Sequence, residues 1–175
     1  MKHKLLLLYT WFVRTVLFFL PDVPFIMRFR GWLYGLGMKR CGKDFQVTHD
    51  VRINGLEDVC IGNHVFLGNN TIIITHPKSG VIIDNEVLVG PHCIIVDGNH
   101  GLTNGSYRYS SGRSELIILH SGGWIGANCC VLAGAELPKA SVLAAGGILN
   151  KKQTIPFGVY AGCPAKLVTI CKEQQ

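Results

Sequence analysis

The feature that most constrains this chain is a repeat of six. From about Val47 onward two apolar or small positions recur every six residues, at Val59/Ile61, Val65/Leu67 and Thr71/Ile73. After four extra residues they resume at Val81/Ile83, Val87/Val89 and Cys93/Ile95. After a longer interruption they return at Ile117/Leu119, Gly123/Ile125, Cys129/Val131, Ala135/Leu137, Ser141/Leu143 and Gly147/Leu149. Neither an amphipathic helix nor a hairpin produces a period of six. A solenoid of short strands and tight corners does, because each inward aliphatic residue then stacks on its equivalent one coil away. A small residue often follows the large one, as in Ile61-Gly62, Leu67-Gly68, Val89-Gly90, Ile125-Gly126 and Leu143-Ala144, where it relieves crowding at a bend. At about three hexads per coil, twelve hexads predict about four coils, with a less regular one at Val47–Ile53.

The rest of the composition is consistent with one domain and an appendage. The chain has 175 residues, 48% hydrophobic and 16% charged, which is enough apolar surface to fold and too short for several domains. Lys and Arg outnumber Asp and Glu by 17 to 11, yet eight of the basic residues and a single acid, Asp22, lie in residues 1–43. The basicity therefore belongs to the N-terminal segment, and the repeat region has no nucleic-acid signature. Seven cysteines without a CxxC pair or zinc-finger spacing read as reduced thiols acting as small hydrophobes, which points to the cytoplasm and to no metal site.

Leu5–Leu20 is a mostly apolar run behind Lys2 and Lys4. No small-x-small cleavage site follows, since the first alanine of the sequence is Ala127. As a helix the run would extend roughly 24 Å, short of the roughly 30 Å hydrocarbon core, and it carries Arg14 near its middle. Trp11, Trp32, Tyr9 and Tyr34 interleave with Arg14, Arg28, Arg30, Lys39 and Arg40, the mixture expected at a membrane surface. The alternative is packing on the domain itself or on a neighbouring subunit.

The hexads resemble those of the hexapeptide-repeat acyltransferases: an aliphatic residue, then Gly, Ala or an acid, two free positions, a small residue or Val, and one free position. The resemblance covers roughly residues 47–169 and extends to several motifs. Gly123-Trp124-Ile125-Gly126-Ala127-Asn128 looks like the family's Trp-Ile-Gly coil. Ala144-Ala145-Gly146-Gly147 before Asn150-Lys151 and Ala161-Gly162-Cys163-Pro164-Ala165-Lys166 look like its C-terminal signatures. The resemblance implies an all-β solenoid, a left-handed parallel β-helix, with an N-terminal apolar helical segment and an excursion loop. Left-handed connections break the usual crossover rule, so the hand comes from the resemblance alone. The expected organisation is an N-terminal segment at 1–43, a β-helix domain at 44–169 with its loop at about 97–116, and a tail at 170–175.

The galactoside, maltose and polysaccharide O-acetyltransferases of this family place a catalytic histidine directly after a complete hexad, as Asn99-His100-Gly101 stands here. The resemblance therefore implies acetyl transfer from acetyl-CoA to a saccharide hydroxyl, with His100 as general base. Neutral imidazole suits that task, because its ordinary pKa of about 6.5 lets it accept a proton near neutrality. Asp97 or Glu115 would orient the ring; the residues themselves do not choose. Asn70, thirty residues before His100, matches a substrate-contacting asparagine, although Asn69 blurs the match and a turn asparagine is the alternative. Trp124 matches an aromatic bordering the site. Ala127 and Ala145 match small residues along the pantetheine arm of acetyl-CoA, and Lys151 and Lys166 match cations near its phosphates. His76, followed by Pro77, is a second candidate base, but it stands where the next hexad would begin and lacks the long loop.

Two departures stand out. Leu119-His120-Ser121-Gly122 replaces the family's Ile-Gly-Asp-Asn, and Thr169 stands where some relatives keep an arginine. The family also implies a homotrimer, and the N-terminal segment points to a protein peripheral at the inner face of the membrane, acting on a lipid-linked or polysaccharide precursor. The alternatives are an N-acetyltransferase on an amino sugar and a non-catalytic solenoid scaffold. A γ-type carbonic anhydrase is disfavoured, because no His-x4-His pair occurs among the seven histidines.

Overall fold

The computed structural model describes residues 2–172. The part of the expected tail at 173–175 lies outside the described residues. The hexads close into a three-faced prism of five coils. Its first face stacks Arg40–Cys41, Val59–Ile61, Val81–Ile83, Ile117–Leu119 and Glu136–Leu137 in parallel. The third stacks Arg52–Asn54, Ile72–Ile74, Ile94–Val96, Cys130–Leu132 and Ile148–Leu149. The second runs from Gln46–Val47 through Phe66–Leu67, Leu88–Val89, Trp124–Ile125 and Val142–Leu143 to Gly158–Ala161, and Lys166–Ile170 folds back antiparallel on that last strand.

Every large residue of the twelve pairs is buried, from Ile61 and Leu67 to Leu143 and Leu149. The third-face register aligns Ile73 with Ile95 and Ile95 with Val131, so like side chains stack along the axis and exclude water without a second layer. Cys93 and Cys129 belong to this core, and all seven cysteines are free. The neighbouring Cys129 thiol, together with burial, pushes the Cys93 thiol up.

Two of the three corners are regular columns of left-handed residues. At the first, His64, Glu86, Gly122, Ala140 and Phe157 have φ between 53° and 71°, and each donates its N–H to a carbonyl one coil below. At the second, Asn70, His92, Asn128 and Gly146 do the same or share the conformation, with His92 bonded to the Asn69 carbonyl at 2.7 Å and Gly146 to Ala127 at 2.8 Å. These bonds satisfy the corner amides and offset the cost of a left-handed side-chain-bearing residue. The small residue after each aliphatic allows the coils to close: a Cβ on Gly126 would stand 2.6 Å from the Ala145 nitrogen.

Two helices, α1 (Lys2–Leu17) and α2 (Pro24–Gly35), pack against the first coil and cover the end of its core. Pro24 opens α2 and helps separate the helices. Gly31 is required where α2 meets the coil, because a Cβ there would lie 1.9 Å from the Phe45 carbonyl oxygen. Arg30 is wholly buried and ties the parts together, donating to Asp22 (3.0 Å), to the Val47 carbonyl (2.6 Å) and to the Leu20 carbonyl in the turn after α1 (3.2 Å). Asp22 also accepts from the His49 backbone N–H and ring and from Asn69. Among the described residues no helix is long and apolar enough to cross a membrane.

Candidate active site

Both interruptions of the repeat fall on the remaining corner, between the third face and the first. Thr75–Gly80 is the short one and Asp97–Leu116 the long one, and they follow vertically adjacent strands, Ile72–Ile74 and Ile94–Val96. The long loop leaves and returns through a two-stranded antiparallel pair, Gly98–Asn99 with Arg113–Ser114. Between the two excursions opens a cleft of about 490 Å³, lined by His76, Asn99, His100, Ser110, Arg113 and Ser114.

His100 stands exposed on this cleft, and its ring makes no hydrogen bond among the described residues. The carboxylate expected to orient it does something else. Asp97 is fully buried and takes both donors of His76, the ring Nδ1–H at 2.7 Å and the backbone N–H at 3.1 Å. The reason is register: Ile74 pairs with Val96, so Thr75 faces Asp97 and the His76 ring lies against Gly98. A Cβ on Gly98 would stand 2.5 Å from that ring. With Nδ1–H committed to Asp97, the neutral His76 ring presents the Nε2 lone pair to solvent at the cleft. Glu115 bonds neither imidazole among the described residues; its carboxylate lies beside Gly134. Below the cleft, burial first and then the charges of Glu57 and Asp97 hold the Asp58 carboxyl above its ordinary range.

The cleft thus contains two imidazoles, one held by a buried carboxylate and one free to reorient. His76, which the repeat pattern placed at the start of a hexad without a long loop, lines the same cleft as His100. The signal was the 21-residue separation of His76 and Asp97, one short of the 22 residues between paired Ile74 and Val96 on adjacent coils.

The other expected residues lie elsewhere. Asn70 is a left-handed corner residue, φ 55°, on a separate shallow cleft with Asp50, Arg52 and His92. Trp124 faces outward from the second face between Leu88 and Val142. Ala127 and Ala145 stack at the second corner, where the space a Gly146 Cβ would occupy has no atom within 4 Å. That open, small-residue corner fits a thin acyl-carrying arm, and Lys151 and Lys166 are exposed cations near the C-terminal end of the prism. Another cleft, about 760 Å³ between α2 and the first coils, has its Asp44 carboxylate taken by Arg28 and His64. Among the described residues no group of three His, Cys, Asp or Glu side chains is placed to hold a metal ion.

Comparison with solved structures decides the architecture. An acetyltransferase of hexapeptide-repeat type from Vibrio cholerae, complexed with acetyl-coenzyme A, superposes with a TM-score of 0.80 at 19% identity, covering 97% of this chain and 89% of its own. The chain has the hexapeptide-repeat acetyltransferase fold. A maltose O-acetyltransferase from Clostridium difficile 630 shares this fold with a TM-score of 0.77 and 19% identity over 97% of this chain and 90% of its own. In sequence, a galactoside O-acetyltransferase from Lactococcus lactis is 24% identical over 107 residues, 61% of this chain. The match spans about half the length of that relative. No protein-family model matches the chain.

Proposed function

We propose that this chain is an acetyl-CoA-dependent O-acetyltransferase acting on a saccharide hydroxyl. The observation that carries the reading is the two-histidine cleft, built on the one corner of a hexapeptide-repeat prism that its repeats leave irregular. Acetyl-CoA supplies an activated acyl carbon as its thioester. His100 takes the proton of the acceptor hydroxyl as its oxygen bonds that carbon; the carbon–sulfur bond breaks and the thiolate leaves. Ala127, Ala145, Lys151 and Lys166 are read as the CoA path, with the lysines facing its phosphates. Asn70 and Trp124 are read as acceptor contacts. In a single chain they lie outside the His100 cleft, so this part of the reading depends on the homotrimer, in which another copy would complete the site. The organisation into a 1–43 segment, a 44–169 catalytic β-helix and a short tail belongs to the same proposal, as does an acceptor that is a lipid-linked or polysaccharide precursor met at the inner face of the membrane.

The test is thiol release from acetyl-CoA in the presence of galactosides, maltose and related glycosides. His100→Ala should lower turnover by about 10² to 10⁴-fold. Its CoA affinity, read by calorimetry, should stay within about twofold of the parent, because the substitution removes a base and no coil contact. Turnover unchanged in the variant would overturn the assignment of the base; no CoA binding by the parent chain would overturn the reaction.

A further inference from the structure

The two N-terminal helices are apolar on both sides, which capping the β-helix does not require. Their inner sides bury Val13, Leu17, Met27 and Tyr34 against the first coil. Their outer sides are also apolar. On α1 the outer stripe is Leu5, Leu8, Phe12 and Val16, with Leu5 68% and Leu8 64% exposed. On α2 it is Phe25, Phe29, Trp32 and Leu36, with Phe25 70% exposed and Phe29 stacked on Trp32 at 5.9 Å. Steps of three and four put each set along one side of its helix. An apolar cleft of about 500 Å³ runs between Leu5, Leu8, Phe12 and Leu36, and Phe19 at the interhelical turn is 88% exposed. Single exposed apolar side chains need no explanation; a continuous two-helix face does.

The net charge of the helical segment selects its occupant. Lys4, Arg14, Lys39 and Arg40 make no ion pair among the described residues. The one acid of residues 1–43, Asp22, is consumed by Arg30 and His49. A second copy would bring the same basic segment, eight Lys and Arg with one acid in residues 1–43, against this one, whereas an anionic bilayer offers opposite charge and a hydrocarbon boundary together. Trp11 and Trp32, both 58% exposed, are the residue type that anchors at such boundaries. Neither helix is long and apolar enough to cross, so the pair would lie in the plane of the surface.

We propose that the outer face of α1 and α2 docks on an anionic bilayer and holds the His100 cleft over it, so that the acceptor is a saccharide carried by a lipid. The second half rests on the acetyl-transfer reading of that cleft. The dimensions agree. His76 and His100 stand on the second and third coils, roughly 5 to 10 Å above the first at about 4.8 Å per coil, and the helix layer adds about 10 Å. The cleft therefore sits roughly 15 to 20 Å from the docking face, within reach of a short glycan on its lipid.

The full chain is floated with vesicles of phosphatidylcholine and phosphatidylglycerol (3:1) and, separately, of phosphatidylcholine alone. The bound fraction should be several-fold higher with the anionic vesicles and should fall only partly in 0.5 M salt, because apolar insertion survives screening. The variant Phe12→Ser/Trp32→Ser, which alters exposed positions and should melt within a few degrees of the parent, should bind at least tenfold less. Absence of binding by the parent, or equal binding by the folded variant, overturns the proposal. So does a variant that drops from oligomer to monomer in light scattering while the parent ignores vesicles, because the face is then an interface between copies. CoA titration of the same proteins keeps the two readings apart: lost CoA binding by the parent removes the acetyl-transfer reading and leaves the flotation result standing.

Discussion

Gly98→Ala tests the His76 seat without replacing either imidazole. Gly98 does not have a positive φ, so the backbone accepts alanine; the obstacle is the His76 ring, whose Cε1 and Nδ1 would both lie 2.5 Å from the new Cβ, where ordinary contact is 3.4–4 Å. The backbone at Gly98 is pinned in register with Ser114 and cannot retreat, so the ring must swing out and break its 2.7 Å bond to Asp97. A hydrogen bond to a charged group contributes about 1.5 to 3 kcal/mol, and a fully buried carboxylate left with one donor forfeits that amount. For a chain of this size that is a fall in melting temperature of roughly 3 to 12 °C. His76→Ala loses the same bond and also removes the ring that alanine at 98 would strike. The double variant should therefore be no less stable than His76→Ala alone, which gives a coupling of about 1.5 to 3 kcal/mol in a four-protein denaturant cycle. If Gly98→Ala costs less than about 0.5 kcal/mol, or if the two losses simply add, His76 is not held over Gly98 by Asp97 and the reasoning about the cleft fails.

Two further outcomes follow from other parts of the molecule. At Asp22, burial pushes the carboxyl up, but the hydrogen bonds of His49 and Asn69 and the charges of His49 and Arg30 outweigh it and leave the pKa lowered. A depressed carboxyl stabilises above its unfolded value and loses that contribution as pH falls through its folded value. The stability gap between the parent and Asp22→Asn should thus be full above about pH 5 and shrink below about pH 4, as denaturant titrations across that range would record. At the second corner, Ala145→Trp fills the open space beside Gly146 from an exposed position. It should weaken CoA binding at least tenfold by calorimetry with almost no change in melting temperature; unchanged affinity would move the CoA path away from that corner.

The outcome at His100 and Asp97 marks where reading the chain stops. The place of the cleft was legible because His100 follows a complete hexad and opens the long interruption, and a cleft does form there. The pairing of Asp97 with His76 was not legible, because Asp97 and Glu115 are near His100 in sequence while His76 is near Asp97 only across a coil. Asn70 was ambiguous for a related reason. A left-handed corner and a ligand contact both favour asparagine, and only its place in a column with His92, Asn128 and Gly146 shows the backbone reason for its position.

What the sequence determined by itself is the prism. Side chains spaced by six, with a small residue often following the aliphatic, stack the large member of each pair inward at one height per coil. Even the positions of the excursions are countable from the interruptions. Tertiary structure alone decided which side chains meet on the outside. Lateral contacts join residues about a coil apart, as His120 with Glu136 16 residues on and His76 with Asp97 21 residues on, and there the backbone period sets height and corner but not rotamer. Whether His76 lies over Gly98 on Asp97 or projects into water is decided by a missing Cβ and a buried carboxylate on the next coil. The same holds for the helices: their spacing makes both sides apolar, and only their packing on the first coil determines which side remains to face something else.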